Sequence, residues 1–298
     1  ITAEVVNKFD RTKTVELRTD FYNHHKQKVT AGTSKVKIVE LVQIKTKEKK
    51  RSQNKTVLVI GGTGGIGSAT CVQLAKDGFN IVIHYHKNKN KAIKLKGEIE
   101  KIGRKAIIVS GDITLLDDVM KMKEKSIRSI ENISVIVNCS TISIHNIKFS
   151  DLDWIEIKSH FDANIKGSFN LLKVFLPVWE KDKFGKFIAL TTMYTEQVQP
   201  ELLGYITAKT ALNGFVKALA FELAPKGIRF NLVSPGMVDT SLIADVPEKI
   251  RLLSAAQTPL RTLATVEDVA GAISYLSSDK SNYLTGETIR VNGGQVML

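Results

Sequence analysis

The chain has 298 residues, 43% of them hydrophobic, which supports one large α/β domain with a smaller appendage and excludes wholesale disorder. Its formal net charge is +13, and residues 1–55 hold 14 Lys/Arg against 6 Asp/Glu, so most of the excess lies in the first fifth of the chain. Two distant cysteines, Cys71 and Cys139, and six histidines without a ligand spacing argue against a disulfide framework and a metal site. No apolar run approaches the roughly 20 residues that span a bilayer. With no secretory leader at the front, a cytoplasmic protein without membrane contact is expected.

Three runs that alternate apolar and polar residues open the chain: Ile1–Val6, Thr12–Phe21 and Gln27–Val42. Alternation as in Val15-Glu16-Leu17-Arg18 predicts half-buried strands, and the polar stretches around Asp10 and Asn23 predict turns between them. Residues 45–54 are charged without periodicity and read as a basic linker. The first residue is Ile rather than Met, so a processed chain or a piece of a longer one is expected. Three antiparallel strands without a helix need a packing partner. Residues 1–44, with "KQKVTAGTSKVKIVE" as the closing strand, resemble the last strands of a hot-dog fold of the enoyl hydratase kind. The acid and histidine that such a dehydratase uses would lie upstream, so no hydratase activity is expected. An accessory β-arm is the alternative.

From residue 55 strands and helices alternate. Strands are predicted at Thr56–Ile60, Asn80–Tyr85, Ala106–Val109, Ile133–Val137, Lys186–Leu190, Arg229–Val233 and Thr288–Val291. Helices are predicted at Ser68–Asp77, Lys91–Ile102, Leu115–Ile130, Ile155–Trp179, Tyr205–Ala224 and Val266–Leu276. Such alternation gives a doubly wound, Rossmann-like parallel sheet covered by helices, here preceded by a short antiparallel segment.

The first of these strands runs into Gly61-Gly62-Thr63-Gly64-Gly65-Ile66-Gly67 and a helix. Glycine permits the positive φ of a tight turn and a close backbone approach to a pyrophosphate, and the helix start supplies free N–H groups. Strand, glycines and helix together point to a dinucleotide. The second strand ends in His84-Tyr85-His86-Lys87, with no acid to bond a ribose 2′-OH. A carboxylate would repel a 2′-phosphate, whereas His86 and Lys87 attract it, so NADP(H) is the expected cofactor. Asp112, followed by Ile113, stands after the third strand where it can bond an adenine amino group, and Asn138 ends the fourth.

Tyr205 and Lys209 are four apart at a predicted helix start, hence on one face. A free tyrosine titrates near 10, and a neighbouring ammonium lowers that value. Tyr205 can then pass a proton to a carbonyl oxygen, with Lys209 also reaching a nicotinamide ribose. Thr191 and Thr192 end the preceding strand, where a hydroxyl can bond the same carbonyl. Asn164 lies one unit earlier. Residues 231–240, carrying Pro235, Gly236, Val238 and Thr240, follow the next strand with backbone groups for a carboxamide.

On these motifs residues 55–298 resemble the short-chain dehydrogenase/reductase family along their whole length, and within it the 3-oxoacyl-(acyl carrier protein) and acetoacetyl-CoA reductases. The stretch "PLRTLATVEDVAGAISYLSSDKSNYLTGETIRVNGG" carries the same likeness. The resemblance places the glycine motif on Gly61, Gly65 and Gly67, the catalytic set on Asn164, Thr192, Tyr205 and Lys209, and the cofactor loop on Pro235, Gly236, Val238 and Thr240. It implies reduction of a 3-ketoacyl thioester by NADPH and a homotetramer or homodimer. Three positions depart from the family: Thr192 stands for a serine, Asn138-Cys139-Ser140-Thr141 for Asn-Asn-Ala-Gly, and Ile60 for the threonine that opens the glycine motif. The family places a substrate lid at Ser241–Pro259, whose Leu242, Ile243, Val246, Ile250, Leu252 and Leu253 suit an acyl chain or plain helix packing.

The basic surface attracts a polyanion, such as an acidic carrier protein or a coenzyme A tail, or is a solvated face. No nucleic-acid recognition motif accompanies it. Two alternatives stay open: reduction of another ketone, and a cofactor-binding scaffold that has lost its chemistry.

Overall fold

The computed structural model describes residues 1–37, 55–130, 132–240, 243 and 246–297. The chain divides into two units, Ile1–Arg51 and Ser52–Leu298. The predicted linker at 45–54 and the end of the third predicted strand lie outside the described residues.

In the first unit β1 (Thr2–Phe9), β2 (Thr14–Tyr22) and β3 (Lys28–Lys37) form an antiparallel sheet in chain order. One face pairs Val5 with Leu17 and Val15 with Val36, the apolar face read from the alternation. Lys28 bonds Asp20 at 2.7 Å and holds its carboxyl below the usual carboxylate range.

The second unit is a seven-stranded parallel sheet in the order β10-β9-β8-β7-β4-β5-β6. Its strands are β4 (Thr56–Ile60), β5 (Asn80–Tyr85), β6 (Ala106–Ser110), β7 (Ile133–Asn138), β8 (Gly185–Leu190), β9 (Ile228–Pro235) and β10 (Thr288–Val291). Central strands of a parallel sheet are covered on both faces and read as continuous apolar runs rather than as alternation. β4 (Thr-Val-Leu-Val-Ile) shows this, every residue being buried. One apolar cluster on the sheet includes Leu58, Ile136, Trp179, Phe187 and Phe230, and a second includes Val57, Ile81, Val135, Ile188 and Ile273. Each such side chain contributes about 1.5–3 kcal/mol on burial.

Helices cross between the strands: α1 (Gly65–Lys76), α2 (Lys89–Lys101), α3 (Leu116–Ser129), α4 (Trp154–Phe161), α5 (Gly167–Asp182), α6 (Leu203–Leu223), α7 (Glu248–Gln257) and α8 (Val266–Ser277). Two boundaries differ from expectation for a stated reason. α1 starts three residues before Ser68, because Gly65 and Gly67 themselves form the first turn against the glycine loop. The helix expected over Ile155–Trp179 is interrupted by a π-turn at Asp162–Lys166, which separates α4 from α5.

The chain leaves β4 toward β5 and β6, then returns to β7 on the opposite side. Strand order therefore reverses between β4 and β7, and a crevice opens beyond their carboxyl ends, where open α/β sheets take their ligands. Among the described residues no helix is long and apolar enough to cross a membrane.

Candidate active site

Four strand ends meet the crevice, and the sequence fixes what each presents. β4 ends in the glycine turn. Gly61 has φ +69°, and a Cβ there would stand 3.1 Å from the backbone of Cys139 and Ser140. Gly67 is closer still: its Cβ would fall 2.1 Å from the Gly61 carbonyl oxygen. A side chain at Gly67 thus has no room, which is why the turn can fold tightly over the start of α1. The helix is preceded by Gly64, which has no side chain to cap it. The first amides of any α-helix lack intrahelical acceptors. Those of Gly65, Ile66 and Gly67 therefore remain for an outside acceptor, and with the helix dipole they favour an anion. This uncapped start is the observation that fits a dinucleotide's pyrophosphate to the turn.

β9 ends in Pro235, paired with Val291. The loop beyond it returns to the glycine turn, since a Cβ on Gly65 would meet the Thr240 methyl at 2.8 Å. Val238 is buried and bridges Ala264. The structure therefore brings Pro235, Gly236, Val238 and Thr240 to the same side as Gly61–Gly67. Ile113 is also buried at the rim, where it fills the space of a Gly167 side chain at 2.5 Å, and its carbonyl takes the Asn170 amide at 3.0 Å. Asp112 is spent partly on its own loop, its carboxylate accepting the Thr114 N–H at 2.8 Å. His86 and Lys87 are exposed beyond β5, and the His86 charge reaches Asp112.

Asn138 is bonded within its own loop and to α5. Its Oδ1 accepts both the N–H (3.1 Å) and the hydroxyl (2.6 Å) of Ser140, and its Nδ2 donates to Ser168 at 3.1 Å. The side chain is buried and ties β7 to α5, so it shapes the wall rather than contacting a ligand through that oxygen. The altered Asn138–Thr141 loop is thus internally bonded by Ser140, one of the residues that makes it unusual.

The reacting groups gather past β8. Thr192 accepts the Tyr194 N–H at 3.4 Å and starts the short turn Met193–Thr195. Its hydroxyl is the one neighbour that lowers the pKa of the Tyr205 phenol. Burial prevails, and with the nearby Tyr194 phenol it pushes Tyr205 up to about 12. The Lys209 ammonium donates to the Leu190 carbonyl at 2.8 Å and lies 5.9 Å from the Tyr205 ring centre. Burial pulls Lys209 down to about 8. Spacing puts both side chains on one face, and burial moves each pKa toward the neutral form. In this geometry the phenol keeps its proton at neutral pH, the form a proton donor needs.

Asn164 sits in the π-turn, buried, with its amide on the His160 carbonyl at 2.8 Å and its own carbonyl taking Ser168 at 2.6 Å. Such turns recur at functional sites because they displace one residue from helical register. His160 itself was not singled out in the sequence. It is buried, its ring meets the Tyr205 ring edge-on at 5.8 Å, and Glu156 faces its Nε2 at 3.4 Å. Burial lowers its pKa. Only its place one helical turn before Asn164 could have drawn attention to it. Of the expected lid, Leu242 lies outside the described residues, while Ile250, Leu252 and Leu253 of α7 are exposed. Among the described residues no group of His, Cys, Asp or Glu is arranged to hold a metal ion.

Fold and crevice define a dinucleotide-binding α/β protein of the oxidoreductase type. A family model described as enoyl-(acyl carrier protein) reductase matches residues 61–295. The chain belongs to the short-chain dehydrogenase/reductase family, whose members use a nicotinamide cofactor. It is 30% identical to a 3-oxoacyl-(acyl-carrier-protein) reductase of Staphylococcus epidermidis over 82% of this chain and 100% of the relative. A 3-oxoacyl-(acyl-carrier-protein) reductase from Brucella melitensis superposes with TM-score 0.77 at 26% identity, covering 82% of this chain and 92% of the other. Acetoin dehydrogenase from Salmonella typhimurium superposes with TM-score 0.73 at 25% identity, covering 81% and 97%.

Proposed function

We propose that this chain reduces the 3-keto group of an acyl thioester, carried on acyl carrier protein or coenzyme A, to the 3-hydroxyacyl product with NADPH. The observation that carries this reading is the grouping of Tyr205, the buried Thr192 and the buried Lys209, whose ammonium lies 5.9 Å from the Tyr205 ring centre, beside a glycine turn whose helix start is uncapped. Likeness to 3-oxoacyl reductases supports the substrate class. The absence of an acid beyond β5 and the presence of His86 and Lys87 there support a 2′-phosphorylated cofactor.

In this reading the bound dihydronicotinamide supplies the hydride. Gly61, Thr63, Gly65, Ile66 and Gly67 hold the pyrophosphate, Asp112 and Ile113 border the adenine, and Pro235, Gly236, Val238 and Thr240 border the carboxamide. Thr192 and Tyr205 share the substrate's keto oxygen. As charge develops on that oxygen, the Tyr205 proton moves onto it, and Thr192 steadies it by a hydrogen bond. Lys209 stays anchored by the Leu190 carbonyl with donors left for the ribose, and Asn164 keeps the π-turn packed behind it. The segments 1–44 and 45–54 lie outside this chemistry, and a homotetramer or homodimer is the expected assembly.

The test is turnover with acetoacetyl-CoA and with acetoin, each with NADPH and with NADH, followed by loss of reduced-nicotinamide absorbance. Turnover of the thioester with NADPH, and little with NADH or acetoin, supports the reading. Preference for acetoin favours the second reading, a reductase of small ketones, to which the acetoin dehydrogenase likeness points.

A further inference from the structure

His84 is the last buried residue of β5, 4% exposed, and no step of the chemistry uses it. Both ring nitrogens are nevertheless engaged with backbone. Nδ1 accepts the Gly61 N–H at 3.1 Å, and Nε2 lies 2.9 Å from the Gly111 carbonyl oxygen. The backbone of His84 adds a third tie, its carbonyl accepting the Gly62 N–H at 2.9 Å. An amide can only donate and a carbonyl can only accept, so one tautomer satisfies the ring: neutral, with its proton on Nε2. Gly61 opens the glycine turn, and Gly111 precedes Asp112 on the opposite wall. Position 60 is Ile, so no side-chain hydroxyl at the end of β4 ties this turn.

We propose that His84 is a positioning residue of the cofactor site, a clamp whose neutral ring holds the glycine turn and the Asp112 loop at one spacing and releases them when it gains a second proton. A proton on Nδ1 would face the Gly61 N–H across 3.1 Å, donor against donor. The charged groups that face the ring are His86, beyond the end of β5, and Asp112, after β6. His86 opposes protonation, Asp112 favours it, and burial outweighs both, so the His84 pKa lies below its ordinary value. The sign follows: a group whose folded pKa is depressed contributes stability in full above about 6.5, the unfolded value, and loses it as pH falls through the folded pKa.

The inference rests on the reading that this turn binds a nicotinamide dinucleotide, so the experiment has one arm with cofactor and one without. NADPH affinity is titrated by fluorescence at about pH 7.5 and about pH 5.5 for the wild-type parent, His84→Gln, His84→Asn and His84→Phe. Melting temperatures of the same proteins are measured without cofactor. A carboxamide can accept from one backbone group and donate to the other but does not titrate, so at least one of His84→Gln and His84→Asn should bind within about 3-fold of the parent at the higher pH. The parent should lose roughly 5- to 10-fold more affinity on acidification than that variant, the effect of one or two hydrogen bonds. His84→Phe should bind weakly at both values. Equal acid dependence in the parent and the carboxamide variants, or tight binding by His84→Phe, overturns the clamp. If the parent binds no cofactor at all, the reading of the turn fails while the clamp is still judged by melting. A fall between about pH 6.5 and 5.5 in the parent, absent in the carboxamide variants, supports it, and a common profile overturns it.

Discussion

Around Gly61–Gly67 the crevice is made of backbone, and around Tyr205 it is made of side chains. At the glycine turn the recognising groups are amides, and the sequence matters by what it leaves out, a Cβ at Gly67 above all. At the end of β8 and the start of α6 the groups are a partly buried phenol, a buried hydroxyl and a buried ammonium, the last held by the Leu190 carbonyl. The first region has no room for a Cβ at Gly67, while the second accommodates exchanges that keep a functional group in place. Threonine at 192 is such an exchange: it keeps the hydroxyl and restricts its rotamer.

Substitutions separate the two regions. Gly67→Ala should have the largest effect, because its methyl would fall 2.1 Å from the Gly61 carbonyl oxygen, a backbone atom that cannot swing aside. Overpacking of this kind costs about 1–3 kcal/mol. A lowered melting temperature is expected together with loss of both NADPH binding and turnover. An unchanged melting curve with normal binding would remove the contrast.

Lys209→Met comes next, with turnover down on the order of 100-fold, as for removal of one preorganised donor. It also carries a pH signature. The folded Lys209 titrates at about 8, whereas unfolded lysine titrates at about 10.4. From about pH 8 toward pH 10 the unfolded chain holds the extra proton, so wild-type stability gains a rising contribution there. Denaturant unfolding should show that contribution in wild type and not in Lys209→Met. A slope shared by both would assign it elsewhere.

Thr192→Val removes a hydroxyl at nearly constant volume. Turnover should fall roughly 10-fold, the worth of one hydrogen bond in the transition state, with NADPH affinity unchanged. Thr192→Ser should restore turnover to within about 3-fold. Loss of cofactor binding in Thr192→Val would mean that the two regions are coupled. The smallest effect is expected at the exposed Lys87. Lys87→Ala should weaken NADPH by no more than about 5-fold and leave NADH untouched, the scale of a solvent-exposed charge contact.

Much of the parallel sheet was legible because its strands are continuous apolar runs punctuated by glycine, as in Thr56–Ile60 followed by Gly61. The glycine turn and the pair Tyr205/Lys209 were legible for the same kind of reason, as short-range spacing. What could not be read from spacing depends on burial. The helix over Ile155–Trp179 was expected without its π-turn, because a single displaced register at Asn164 leaves the apolar periodicity intact on either side. A helix wheel shows that Tyr205 and Lys209 are neighbours but not the dry surroundings that shift the pKa of each. His84 and His160 were passed over as ordinary polar residues on a strand and a helix. Their partners, Gly111 27 residues away and Tyr205 across two helices, are set by tertiary packing. The bond of Asn138 to Ser168 was likewise not legible, because it spans 30 residues of sequence.

The most direct test of the account is Tyr205→Phe, with NADPH affinity and acetoacetyl-CoA turnover measured on the same preparation. Phenylalanine keeps the buried ring and its contact with His160 but removes the proton. The account predicts NADPH affinity within about 2-fold of wild type and turnover down by roughly 100- to 10,000-fold. Turnover within a few-fold of wild type would contradict it and move the proton donor to another group in the crevice.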